Sequence, residues 1–265
     1  MLIRIFATIF LLLSSNVGYT KTDISKIPRE VLVEFNQPVY KKKYQNVVDN
    51  AIKHAEENTP NMKKKHIRVR VFIGDDVGTS KYSRYNKHLC DIKLAFKDET
   101  SVDFGTLSNE IEIITLHELG HCSLDTMNMP NNKIDWTIKL NQEEKRLYER
   151  LSKEEQDKLI IKDCEPDCNG SHLKYNIHIA YGEMFADLFS ANYYFKSNNE
   201  DMLLFLIELR NNLYFKNGKS SNYFSHKVIS EFVAKDNFPV LTYEEIIKTS
   251  QRAVIDEAKS THLHP

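Results

Sequence analysis

The sequence predicts an α+β fold: a small mixed sheet near the N-terminus followed by a mainly helical lobe. Three observations carry that prediction. Glycine and proline are scarce, at 8 and 7 among 265 residues, where average usage would give roughly 19 and 13. Tight turns consume both, so the shortage argues against propellers and many-stranded sandwiches and favours long helices. Residues 67–73 and 89–97 alternate apolar and polar side chains, as half-buried strands do. From about residue 107 onward, apolar residues recur at helical spacing instead.

The elements follow in order. Residues 1–20 read MLIRIFATIFLLLSSNVGYT, with Arg4 before an apolar run at 5–13 and small residues after it. That is the layout of a secretory signal peptide. The run is too short for the roughly 20 residues that span a bilayer. Cleavage is expected after Gly18 or Thr20. It leaves an exported chain, periplasmic or secreted, with residues 21–265 as one domain and no stable membrane insertion. The formal charge of −1, from 36 basic and 37 acidic residues, gives no electrostatic footprint for nucleic acid.

Residues 31–35 (VLVEF) alternate as a short strand. Residues 43–57 place Tyr44, Val47, Val48, Ile52 and Ala55 on one helical face, and Thr59 with Pro60 stops that helix. Residues 67–73 turn Ile67, Val69, Val71 and Ile73 to one side. Residues 89–97 turn Cys90, Ile92, Leu94 and Phe96 to one side and Asp91, Lys93 and Lys97 to the other, a charged face that suits an edge strand. Residues 102–104 (VDF) add a short strand. Helices are expected at 107–123, 141–162, 178–196, 200–215, 225–235 and 242–258. The second is so charged that it reads as a solvated surface helix. A loop at 164–176 precedes the third, and the tail 261–265 (THLHP) reads as a disordered end.

Chemistry concentrates at residues 115–123, TLHELGHCS. On a helix His117 and His121 share a face, where two imidazoles bind one Zn²⁺ while Glu118 addresses a water on the metal. Ile111, Ile113, Ile114, Leu116 and Leu119 make the surrounding helix strongly apolar. Two histidines and a glutamate inside such a helix need a partner, because an unpaired buried polar group is costly. Catalytic zinc sites usually take three protein ligands. A third histidine six residues after His121 is absent, since that position is Met127. The apolar helix HIAYGEMFADLFS (178–190) instead offers Glu183 as ligand. Asp187, one turn on, can accept a hydrogen bond from a ligating histidine and fix its tautomer.

On TLHELGHC and GEMFADLF the chain resembles the gluzincin metallopeptidases over about 75 residues. The resemblance implies a zincin-like fold with one zinc ion per chain, held by His117, His121 and Glu183. It also implies Glu118 as general base, Asp187 behind the ligands, and a peptide or protein substrate. Ser123 departs from the hydrophobic residue usual there. A donor for the oxyanion is also required. Tyr175, His178, Tyr181, Tyr223 and His226 are the candidates, and no spacing selects among them.

A substrate peptide would pair with a sheet edge, for which residues 89–97 are the expected strand. Cys90, on its inward face, would then lie over the active-site helix near Cys122. Four cysteines allow three pairings. This placement favours Cys90–Cys122, leaving Cys164 and Cys168 to pair locally or, as a rival, to bind a second zinc with His172. Two alternatives to an exported peptidase stand: a zincin-fold binding protein without turnover, and a zinc amidase acting on cell-wall crosslinks. Gly120 and Gly182 adjoin the proposed ligands His121 and Glu183. They are expected to let two helices approach closely.

Overall fold

The structure is a computed structural model that describes residues 28–60, 62–74, 81–83, 88–97, 106–126, 172–216, 224–235 and 238–263, with a few positions between 146 and 152. The leader expected at 1–20, the strand expected at 102–104, nearly all of the charged helix expected at 141–162, and Cys164 and Cys168 lie outside the described residues.

Strand β1 (Val31–Phe35) is followed by helix α1 (Pro38–Asn58) and strand β2 (His66–Ile73). Helix α1 starts five residues earlier than its apolar spacing indicates. Pro38 sits in its first turn, where a missing N–H costs nothing and φ is already helical. It stops at Thr59, held in an extended conformation as the residue before Pro60. Strands β3 (Lys81–Ser83) and β4 (Leu89–Phe96) complete one sheet in the order β1-β2-β4-β3. β1, β2 and β4 are parallel, with α1 as the crossover between the first two, and β3 is antiparallel to β4.

The register sets the two faces. Ile67 pairs with Cys90, Val69 with Ile92, Val71 with Leu94 and Ile73 with Phe96, and all eight side chains are buried. They pack with Val48, Ala51, Ile52 and Ala55 of α1 in a single core. The opposite face is ionic: Arg68 reaches Glu34 at 2.8 Å and Arg70 reaches Asp91 at 2.9 Å. This corrects the edge assignment. The charges at 89–97 mark an outer face, whereas the edge on that side belongs to β3. Three residues are too few to show an alternation, so the pattern of β3 is invisible in the sequence.

Helix α2 (Leu107–Thr126) packs on α1 and β4, and α3 (His172–Ser197) packs on α2. Helices α4 (Glu200–Lys216), α5 (Ser225–Ala234) and α6 (Tyr243–Leu263) surround α3. Residues 172–176, expected as loop, belong to α3. Leu173, Ile177, Ala180, Tyr181 and Met184 continue one helical spacing back to that point, and neither glycine nor proline lies between 172 and 181. Likewise α6 runs to Leu263 and takes in most of the tail expected to be disordered. It begins with a capping box: the Thr242 backbone N–H donates to Glu245 Oε2 at 2.7 Å and the Glu245 N–H donates to Thr242 Oγ1 at 3.3 Å. Asn198, at φ 49°, ends α3 in the left-handed conformation that asparagine tolerates. Asn199 then caps α4 by accepting the Met202 N–H at 3.2 Å. No helix among the described residues is long and apolar enough to cross a membrane.

Candidate metal centre

Helix α2 is held at the point where its motif ends. Cys122 is joined to Cys90 of β4 by a disulfide, with the two Cα atoms 5.6 Å apart, the pairing expected from the strand's inward face. The buried Lys65 ammonium donates to the Cys122 carbonyl at 3.2 Å. Tyr243 of α6 donates to the Ser123 carbonyl at 3.1 Å. The Ser123 hydroxyl, in place of the expected hydrophobe, lies 3.1 Å from that of Thr59, and both residues are buried. A hydroxyl is tolerated there because the end of α1 supplies its partner.

Two helices then face each other across the motif. A Cβ added to Gly120 would lie 2.8 Å from the Ala186 Cα, so α2 and α3 touch backbone to backbone at this level. Gly182 differs. A Cβ there would meet the His121 ring at 3.8 Å, an ordinary contact. The expected close approach therefore requires Gly120 and not Gly182.

The approach brings three side chains together. His117 Nε2 lies 3.0 Å from His121 Nε2 and 3.3 Å from Glu183 Oε2, and His121 Nε2 lies 3.4 Å from Glu183 Oε1. Four-coordinate binding at about 2.0–2.1 Å places neighbouring donor atoms about 3.3–3.4 Å apart. The distances to the two Glu183 oxygens match that size and the separation of the two imidazole nitrogens is slightly shorter, and the three residues could hold a metal ion. The histidine side chains are 7% exposed and that of Glu183 17%, so the group opens on the glutamate side.

Electrostatics follow from burial and proximity. For His117, burial and the Arg210 cation oppose protonation. Asp187 and Glu183 outweigh them and push the ring up to about 9. Burial opposes ionisation of Glu183, but hydrogen bonds and charge from His117 and His121 hold it far below the usual carboxylate range. Glu118 is buried beside the group, and desolvation raises its carboxyl against the pull of both histidines.

Asp187 is fully buried and lies 2.8 Å from His117 Nδ1, the position expected of it. Arg210 and Ser225, which the sequence reading missed, meet the same carboxylate. Arg210 Nε donates to Oδ1 at 2.9 Å and Ser225 Oγ donates to Oδ2 at 2.5 Å. A signal for Arg210 was present: Leu203, Leu206 and Arg210 fall at i, i+3 and i+7 on the apolar face of α4, and a cation there demands a buried partner. Ser225 carries no such signal. Among the oxyanion candidates, Tyr181 and His226 are buried, and burial pushes the Tyr181 hydroxyl up to about 12. The side chains of Tyr175, His178 and Tyr223 lie outside the described residues, as does that of His172.

Comparison of the chain with protein-family models, with curated proteins and with solved structures found no match.

Proposed function

We propose that the chain is an exported, zinc-dependent peptidase with a zincin-like fold. The observation that carries this reading is the His117–His121–Glu183 triangle, with donor separations of 3.0, 3.3 and 3.4 Å and a buried Glu118 next to it in the chain. Imidazole and carboxylate donors at tetrahedral spacing suit zinc. When bound there, zinc would acidify a water and polarise a carbonyl.

The remaining steps fall to the chain's own residues. Glu118 accepts the proton of the attacking water and passes it to the departing amine. Its burial raises its affinity for that proton. Asp187 keeps His117 in the tautomer with Nδ1 protonated, so that Nε2 faces the triangle. An extended substrate backbone would pair with the outer side of β3, the edge strand nearest α2. A leader and a disulfide suit an oxidising compartment outside the cytosol.

The test is metal analysis of the purified protein, together with peptide-library cleavage by wild type and Glu118→Gln. Stoichiometric zinc in both, with cleavage by wild type alone, supports the reading. Zinc without cleavage of any peptide by wild type would favour a binding protein or an amidase. Protein purified without chelators and free of zinc refutes it.

A further inference from the structure

We propose that Arg210 and Ser225 are positioning residues for the metal centre. Together they fix the Asp187 carboxylate so that it holds His117 with Nε2 turned toward Glu183 and His121. The proposal rests on the metal reading of that triad.

Four helices converge on this one carboxylate. His117 comes from α2, Asp187 from α3, Arg210 from α4, and Ser225 is the first residue of α5. All four are buried. Oδ1 faces His117 Nδ1 at 2.8 Å and Arg210 Nε at 2.9 Å, and Oδ2 takes the Ser225 hydroxyl at 2.5 Å. Oδ1 is engaged from two helices and Oδ2 from a third, so the carboxylate cannot rotate without breaking bonds on both sides. A single acceptor for His117 would allow that rotation, and the imidazole would turn with it.

The place of Arg210 is informative. Its Nη2 lies 2.8 Å from His117 Nδ1 and 2.6 Å from Asp187 Oδ1. A histidine whose Nε2 faces a metal carries its proton on Nδ1, so Nδ1 and Nη2 are both donors. Two donors repel, and their contact is stable only because Asp187 Oδ1 attracts both. The guanidinium therefore braces the ring and the carboxylate together, and its planar fork supplies Nε and Nη2 from one rigid group. A lysine has a single ammonium and cannot reproduce that fork. Stability alone gives little reason for such an arrangement, because a buried ion pair is often no better than packed hydrophobes.

The test compares wild type, Ser225→Ala and Arg210→Lys, with Lys227→Met as control. Lys227 belongs to a surface pair with Glu257 at 2.7 Å. Three quantities are read: Zn²⁺ affinity by chelator competition, the ligand-field spectrum of the Co²⁺-substituted protein, and the melting temperature of the metal-free protein. Ser225→Ala and Arg210→Lys are each expected to lower affinity about 10- to 100-fold and to shift the Co²⁺ bands. Lys227→Met is expected to change neither. Wild-type affinity and Co²⁺ spectrum in both variants overturn the proposal, even if the metal-free protein melts earlier, because the contacts would then be structural only. Should Arg210→Lys fail to fold, Ser225→Ala decides alone, since it removes a single hydroxyl. A wild-type protein that binds neither ion refutes the metal reading itself and the proposal with it, an outcome distinct from variants that match wild type.

Discussion

The same substitution, glycine to alanine, should have opposite signs at two positions on the facing helices. At Gly120 the new Cβ would sit 2.8 Å from the Ala186 Cα and 3.2 Å from its Cβ and carbonyl oxygen. Carbon atoms pack at about 3.5–4.0 Å, so α2 and α3 must separate by close to 1 Å. The obstacle is backbone and no rotamer change relieves it. Overpacking costs about 1–3 kcal/mol. Alanine recovers about 1 kcal/mol of helix propensity. With a backbone clash at the upper end of that range, Gly120→Ala should lose about 1–2 kcal/mol net. At Gly182 the new Cβ meets only the His121 ring, at 3.8 Å. The propensity gain then stands, and Gly182→Ala should be about 0.5–1 kcal/mol more stable than wild type. The separation at Gly120 also moves His117 and His121 away from Glu183. Metal affinity should therefore fall about 10- to 100-fold in Gly120→Ala and hold in Gly182→Ala. Denaturant titration of the metal-free proteins reads the stabilities, and chelator competition reads the affinities. If Gly120→Ala is as stable as wild type, the reading of the α2–α3 contact is wrong.

His54 should make stability depend on acidity. Burial first, and then the charge of Lys196, lower its pKa from 6.5 to about 4. Its ring is packed edge-on against Phe189 and Tyr193. Below pH 6.5 the unfolded chain takes a proton that the folded chain refuses until about pH 4. This histidine alone should thus cost about 3 kcal/mol of stability between those values, and its own contribution levels off below them. His54→Phe should remove that slope in denaturation curves, and an unchanged slope refutes the assignment. The Cys90–Cys122 disulfide closes a loop with a sequence separation of 32. Chain entropy assigns it about 3–4 kcal/mol. The double Cys→Ser variant should lose that amount under non-reducing conditions, and a wild-type midpoint would contradict the pairing.

What the sequence made legible was what periodicity reports. The parallel strands β2 and β4 appear as alternation, and their inward residues are the buried ones. His117 and His121 share a face because they lie one turn apart on one helix, and Glu183 with Asp187 repeats that spacing on another. Cys90 could be aimed at Cys122 because a strand's pleat says which side each residue faces. Position within a sheet is a different matter. A charged face and an exposed edge both put lysine and aspartate on a strand, and residues 89–97 have the first without the second. Only pairing partners separate the two cases, and β3 is too short to announce itself.

The partner of Arg210, and Ser225 altogether, lay beyond reach for a related reason: each acts through a contact between helices distant in sequence. A lone pattern match cannot say which buried carboxylate a buried arginine meets. Physical necessity narrows the choice once the face is known. Arg210 is 4% exposed and Asp187 fully buried, and an isolated charge in such surroundings is prohibitively costly. Each must therefore find the other or a comparable partner. The same demand applies to His117, whose Nδ1 is buried on the side away from the triangle. Placing all three donors on one carboxylate satisfies every one of these requirements with a single acceptor group. It also turns the opposite side of the imidazole, at Nε2, toward Glu183 and His121.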